Sequence, residues 1–121
     1  MAAWSSDELV KIGSAEEVEI APGPVPRPVT VWIVRAGDDL YVRSAVRGRN
    51  AAWYRAAQRS HEGQISTEGV QRDVRFEAAE PAVNDLVDAA YRSKYRRYGG
   101  RILNSCLTPE ARSTTVRIVP H

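Results

Sequence analysis

The sequence predicts a small α+β barrel of about six mostly antiparallel strands with two main helices. Three observations predict this class. Several short segments rich in β-branched residues alternate apolar and polar positions, as half-buried antiparallel strands do. Glycine- and aspartate-containing turns separate neighbouring segments, which favours hairpin connections. Two longer segments repeat apolar residues at helical spacing instead.

Length and composition predict one domain over residues 1–121. The chain is 43% hydrophobic, which is enough for one core at this length. A barrel of this size tends to leave an apolar flank exposed, so we expect a homodimer. The net charge of +2 is too small for the basic stripe of a nucleic-acid binder, and we expect no nucleic-acid partner.

Two further features predict a cytoplasmic protein that does not interact with membranes. Cys106 is the only cysteine, so an intrachain disulfide is excluded and a reducing compartment is favoured. The N-terminal segment lacks the apolar core of a signal peptide, and no apolar run is long enough to span a membrane.

The first part of the sequence predicts a helix, a strand and a connector. Within residues 1–13, Ser5 stands three positions before Glu8, the spacing of a capping box, which predicts an N-terminal helix. Residues 17–20 alternate and predict a first strand at a sheet edge. Residues 21–28 contain four prolines, which cannot donate ladder hydrogen bonds. They predict an extended connector, with a proline-rich docking ligand as the alternative.

The remaining elements are predicted from the same alternation, turn and helix signals. They are, in sequence order, a strand over 29–34, a turn at 37–39, a strand over 40–42, a helix over 50–60, strands over 64–67 and 70–78, a helix from 81 to 99, and a strand over 113–119. Asn50 is the expected N-cap of the first of these helices. Arg72 falls on the apolar face of strand 70–78, so it marks a bulge or points into a polar pocket.

The loop over residues 43–50 is the main candidate site. It gathers three arginines, a serine and a glycine just before a helix begins, and two aromatic residues follow in the first turn. Guanidinium groups beside free N–H groups at a helix start bind phosphate or carboxylate, although loop arginines can also be merely solvated. Trp53 and Tyr54 can stack on a planar ring, and we expect one of them in the core and the other in the pocket. The candidate cofactor-binding residues are Arg43, Ser44, Arg47, Gly48, Arg49, Asn50, Trp53 and Tyr54.

A second set of residues is predicted to contact substrate. Tyr91, Lys94 and Tyr95 share one helical stripe, which can form a pocket wall or simply a packing surface. The candidate substrate-binding residues are Trp32, Arg72, Tyr91, Lys94 and Tyr95. The two histidines and one cysteine lack metal-ligand spacing, so no metal is expected, and no residue pair predicts an acid and base for catalysis.

Four fragments carry a family resemblance: TVWIVRAGDDLYVRS, AWYRAA, QRDVRFE and DAAYRSKYRRYG. Together they resemble the uncharacterised bacterial DUF2255 family over nearly the whole sequence. More distantly, the strand, Arg-Ser, basic glycine loop and Trp-Tyr helix are similar to split β-barrel proteins that bind FMN or the deazaflavin F420. In the deazaflavin-dependent nitroreductases among them, a serine- and glycine-containing loop followed by Trp-Tyr lines the cofactor pocket. The earlier Lys/Arg-Ser-Gly segment of that loop has no counterpart in the proline connector.

The distant resemblance implies a split barrel that holds FMN or F420 and acts as an oxidoreductase on a small organic substrate. The loop over 43–50 would then bind the phosphate end, as an anion site would, and Trp53 and Tyr54 would line the ring. Two alternatives stay open. One is a cofactor-free small-molecule binding protein or tailoring enzyme of secondary metabolism that uses a pocket on the same barrel. The other is a non-catalytic dimeric domain.

Overall fold

The computed structural model describes residues 3–23, 27–45, 48–67 and 69–121. These residues form an α+β fold of seven strands and five α-helices. The elements are α1 Ser6–Ser14, β1 Val18–Pro22, β2 Val29–Val31, β3 Ile33–Ala36, β4 Asp39–Val42, α2 Ala52–Ser60, β5 Glu62–Thr67, β6 Val70–Ala78, α3 Asn84–Lys94, α4 Gly100–Ser105, α5 Pro109–Arg112 and β7 Val116–Pro120.

One antiparallel sheet of seven strands, in the order β2-β1-β5-β6-β7-β4-β3, forms the body of the protein. Its two outermost strands, β2 and β3, are consecutive in sequence and only Trp32 separates them. Because a single residue joins the two outermost strands, the sheet curls until these strands lie close together, giving a nearly closed barrel. The predicted α+β barrel is thereby confirmed.

The predicted strand over 29–34 is wrong as a single element, and its division raises the strand number from six to seven. Residues 29–31 pair with β1, whereas Ile33 begins the strand that pairs with β4. At this break, side chains from helix α3 and from the residue just after it form hydrogen bonds with the Ile33 backbone. The Ile33 N–H donates to Tyr95 Oη at 3.1 Å, and Lys94 Nζ donates to the Ile33 carbonyl at 2.5 Å.

The barrel encloses the larger of two apolar clusters. Alternate strand residues point inward, and α1 and α2 contribute Leu9, Ile12, Trp53 and Tyr54 to the same cluster. The second cluster lies between the outer face of β3 and β4 and helix α3. Its buried members are Val34, Tyr41, Val87, Tyr91, Tyr95 and Cys106.

The N-terminal helix is confirmed, and it explains Arg72. Ser5 and Glu8 form the expected capping box of α1. Arg72 bonds the Glu8 carboxylate, and its guanidinium lies 5.6 Å from the ring centre of Trp4. The ladder register through Arg72 is continuous, so the bulge alternative is wrong. A charged residue is accommodated on this face because α1 supplies an opposite charge and an aromatic ring.

Three strand and connector predictions need correction. β1 lies between β2 and β5, not at an edge, and it includes Pro22 at the start of the predicted connector. Residues 24–26 lie outside the described residues, so the connector stays a prediction there. The last strand begins at Val116 instead of residue 113, because the N–H groups of residues 113–115 bond back to carbonyls of helix α5.

Two helix predictions also change. Asn50 is not an N-cap: it ends a short 3-10 turn, Gly48–Asn50, and the N-cap of α2 is Ala51, which offers no side-chain acceptor. The long helix from residue 81 to 99 is divided into a 3-10 turn, helix α3 and a second 3-10 turn, followed by α4. None of the helices in the described ranges is long and apolar enough to span a membrane.

Candidate functional site

A cleft of about 560 Å³ opens beside the break between β2 and β3. Its lining includes residues 29–32 and residues 43–45, which follow β4. This volume lies in the range of small-molecule sites, and most of the lining is apolar. The residues that line it are Val29, Thr30, Val31, Trp32, Arg43, Ser44, Ala45, Ala51, Ala52, Trp53, Ile102, Ser105 and Cys106.

The strand register explains why the cleft is here. β3 and β4 pair with Ile33 opposite Val42. One more step of this register would set Trp32 opposite Arg43, but β2 turns away to pair with β1 instead. The two arms of the hairpin therefore separate, and the cleft occupies the gap between them.

Two indole rings from different elements contribute to the cleft wall. Trp32 stacks on Tyr95 with ring centres 3.9 Å apart and planes 3° from parallel. The Tyr95 hydroxyl is held in turn by Ile33 N–H and by the carbonyl of Glu16, to which it donates at 2.8 Å. Trp53, 7% exposed, comes from the first turn of α2. Trp32 is therefore supported on one side by a fixed ring before any ligand arrives.

Arg43 lies behind this wall and donates to the protein itself. Its Nε donates to Thr115 Oγ1 at 2.9 Å, and one terminal nitrogen donates to Asp88 Oδ1 at 2.5 Å and to the Cys106 carbonyl at 2.9 Å. The other terminal nitrogen bonds the carbonyl and the side-chain oxygen of Asn84. A guanidinium has five N–H donors, and five acceptors meet them here. The Arg43 side chain, 0% exposed, has no donor left for a ligand.

A family model described as uncharacterized protein conserved in bacteria, DUF2255, matches residues 8–118. The chain belongs to the DUF2255 family. This confirms the predicted family, and the matched range contains every residue that lines the cleft. No curated protein matches the sequence. The distant similarity to FMN- and F420-binding split barrels stays a prediction.

In this DUF2255 protein, Arg43, Ser44 and Trp53 of the candidate cofactor set meet at the cleft, together with Trp32 of the substrate set. Ser44 is 3% exposed, and its N–H donates to Thr114 Oγ1 at 2.9 Å. Its hydroxyl has no hydrogen-bond partner among the residues that the structure describes. Ser44 is therefore a polar contact open to a ligand.

Other members of the candidate cofactor set lie away from the cleft. Arg49 and Asn50 are exposed and do not line it. Tyr54 lines a separate cavity of about 130 Å³. Gly48, at a φ of +52°, lies so close to Glu110 that an added Cβ would come within 2.5 Å of its carboxyl carbon. Arg47 falls outside the described residues, so its role stays a prediction.

Four of the five candidate substrate-binding residues of the DUF2255 protein also lie outside the cleft lining. Tyr91 and Tyr95 are buried beneath α3 and do not line the cleft, and burial raises the pKa of each hydroxyl above its ordinary range. Burial lowers the pKa of Lys94 to about 8, while its amine holds the Ile33 carbonyl. Arg72 pairs with α1 at a place outside the cleft lining.

Sequence reasoning included Ala45 only as part of the loop over 43–50, and it did not single out the other residues of the cleft. These are Val29, Thr30, Val31, Ala51, Ala52, Ile102, Ser105 and Cys106. A strand predicted to be continuous over 29–34 gives no reason to expect a cleft beside Thr30. Ile102, 51% exposed at the cleft, is an apolar residue where a surface helix would favour a polar one, and this was the only available signal. Burial also raises the pKa of the Cys106 thiol, so at neutral pH it is a small apolar wall residue.

Proposed function

We propose that this DUF2255 protein binds a small planar organic molecule in the cleft between β2 and residues 43–45. The observation that carries this proposal is the pair of indoles, Trp32 and Trp53, on one apolar cleft of ligand size. Aromatic rings attract flat ligands through stacking and edge contacts, which add about 0.5–1.5 kcal/mol per ring pair beyond apolar burial.

The support beneath Trp32 strengthens the proposal. Its ring is stacked on Tyr95, and the hydroxyl of Tyr95 is fixed to the backbone at Glu16 and at Ile33. A wall that is ordered before binding reduces the conformational entropy lost when a ligand docks. An unsupported surface tryptophan would not offer this advantage.

A flavin or deazaflavin ring is the narrower form of the same proposal. Ser44 and Trp53, both in the candidate cofactor set, support it because they line the cleft. The ring portion of FMN or F420 fits an apolar cleft with two indoles, whereas the expected phosphate contact at Arg43 does not fit, since that guanidinium is fully paired. Exposed Arg49, or Arg47, whose role stays a prediction, would then meet the anionic end. Such a cofactor would supply hydride chemistry, and the protein would orient it as an oxidoreductase.

The experiment combines a spectrum with matched tryptophan variants. The purified protein is examined by absorbance and mass spectrometry for a bound chromophore, then titrated with FMN, F420 and uncharged bicyclic rings. Trp32→Ala and Trp53→Ala should each weaken binding about tenfold. Trp4→Phe is the control, because Trp4 lies in the barrel and does not line the cleft.

The outcomes separate the alternatives. Binding of FMN or F420 that is lost with the Trp53 variant supports the cofactor. Binding of uncharged rings without either cofactor supports the cofactor-free alternative. Equal binding by all three tryptophan variants would contradict a ligand site in the cleft.

A further inference from the structure

The hydrogen-bonding direction of β1 can be established from its neighbour. The Gly23 N–H donates to the Glu62 carbonyl at 3.1 Å, just beyond the last β1–β5 pair. In an antiparallel ladder, hydrogen-bonded pairs recur at every second residue. Because the register is continuous, Ala21 and Glu19 also direct their N–H and C=O groups toward β5.

This direction determines which side of β2 is free. In a strand with two neighbours, successive residues point their backbone groups to opposite sides. Val18 therefore bonds toward β2, where it pairs with Val31. Thr30 stands opposite Glu19, whose groups point the other way. The N–H and C=O of Thr30 thus point away from β1, toward the cleft that Thr30 lines.

Neither of these Thr30 groups has a hydrogen-bond partner within the described part of the protein. The β3–β4 register, continued past Trp32, would set Thr30 opposite Ala45, but the two arms have separated there. The cleft thus presents one donor and one acceptor side by side, as an open strand edge does. Ser44 also lines the cleft; the residue is 3% exposed, and its hydroxyl too lacks a partner among the described residues.

The charge of the cleft lining restricts the class of ligand further. Among the described residues of the lining, Arg43 is the charged one, and its donors are all engaged by the protein. An ionised group placed in an apolar cleft without a partner carries a large desolvation cost. A ligand group that enters the cleft would therefore have to be neutral, and an anionic tail would lie outside it.

We propose, resting on the proposed function, that the ring in the cleft carries an N–H and a C=O side by side on one edge, as a lactam or an imide does. We call this pair of groups the amide edge. This edge hydrogen-bonds the backbone carbonyl and N–H of Thr30, in place of the strand neighbour that β2 lacks. The indoles contact the ring faces, and Ser44 contacts a further polar atom of the ring. The ligand class is a neutral planar heterocycle with this edge.

Three probes of similar size test the proposal on the full-length protein by tryptophan fluorescence titration. Quinazoline-2,4-dione has the amide edge. Its 1,3-dimethyl derivative keeps the ring and carbonyls without an N–H, and quinoline has neither. We expect the dione to bind about tenfold tighter than the other two probes, because neither of them can complete the pair of hydrogen bonds with Thr30.

Two substitutions at one position form the matched pair. Thr30→Pro removes a backbone N–H that takes no part in the β1 ladder, and proline is tolerated at such strand edges. Thr30→Val keeps this N–H and removes the hydroxyl. The preference for the dione should disappear with proline and persist with valine.

The results distinguish this proposal from the proposed function. Equal affinity of the three probes for the wild-type protein, with Trp53→Ala weakening all of them, would overturn the amide edge and leave planar-ring binding intact. Absence of binding by every probe at millimolar concentration would overturn both. The comparison of the three probes uses only the wild-type protein. It can therefore overturn the proposal even if the Thr30→Pro protein fails to fold.

Discussion

Arg43 shows how an apparent ligand residue can serve the protein itself. Its acceptors come from α3, from the end of α4 and from the segment before β7. The guanidinium thereby links the end of β4 to these three elements and holds this part of the cleft lining in place. The nearest of these acceptors in sequence is 41 residues away, so a local pattern of basic residues cannot show the network.

Replacing Arg43 should therefore affect stability more than ligand charge. Arg43→Met leaves Asp88 buried without its main partner, and we expect a loss of about 3–5 kcal/mol in the free energy of unfolding. Urea denaturation measures this loss. Arg49→Met is the control, and as an exposed change it should stay within about 0.5 kcal/mol. A small loss of stability together with a large loss of anion binding would show that Arg43 is a ligand group after all.

Because of Lys94, the free energy of unfolding should depend on pH in the alkaline range. Burial lowers its pKa to about 8 from an ordinary 10.5. Between these values the unfolded state binds more protons than the folded one, so the Lys94 contribution to stability rises with pH across that window and is flat below it. The difference in unfolding free energy between wild type and Lys94→Met, measured at about pH 7 and again near the top of this window, should shift in favour of the wild type. An unchanged difference would contradict a buried amine.

At the level of elements, the break at Trp32 replaces ladder hydrogen bonds with side chains from α3 and its C-terminal cap. Tyr95 Oη meets the Ile33 N–H, and Lys94 meets the Ile33 carbonyl. Two parts of the sheet are thereby held apart while both backbone groups of Ile33 keep a partner. The cleft depends on this arrangement, because a continuous strand would close it.

Tyr95→Phe tests the arrangement. It keeps the ring beneath Trp32 but removes the hydroxyl, leaving the buried Ile33 N–H unpaired, at a cost of about 1–3 kcal/mol. Hydrogen exchange at the Ile33 amide should accelerate more than at the Val34 amide, which belongs to the β3–β4 ladder region. Tyr98→Phe is the matched control on the same surface, since its ring also contacts Trp32. Equal effects of the two variants would mean that the hydroxyl does not hold the break.

Elements with strong local signals could be predicted from the sequence. β6 has the bounds predicted for it, because its nine residues alternate between two faces, with Arg72 as the exception on the apolar face. The capping box of α1 depends on residues three positions apart and was equally visible. The break at Trp32 could not be predicted, because the alternation of β-branched residues continues through it. Its cause lies in Lys94 and Tyr95, about 60 residues later in the sequence. The predicted loop therefore contributes residues 43–45 to the cleft, whereas residues 48–50 lie outside its lining.

At the level of the whole molecule, the barrel brings together segments that are far apart in sequence. Its two outermost strands meet at Trp32, and α2 and α4 complete the cleft from opposite parts of the sequence. The site is thus a consequence of incomplete barrel closure, and not of the basic loop alone. The expected homodimer stays a prediction.

The central claim is that a planar ligand enters the gap between β2 and residues 43–45. Chemical-shift mapping by NMR, with quinazoline-2,4-dione added to the isotope-labelled protein, tests it most directly. We predict that the Thr30 and Ala45 amides and the indole N–H signals of Trp32 and Trp53 shift, while the Trp4 indole, which donates to the Ile118 carbonyl inside the barrel, does not. Shifts confined to exposed arginines, with both cleft indoles unchanged, would contradict the account.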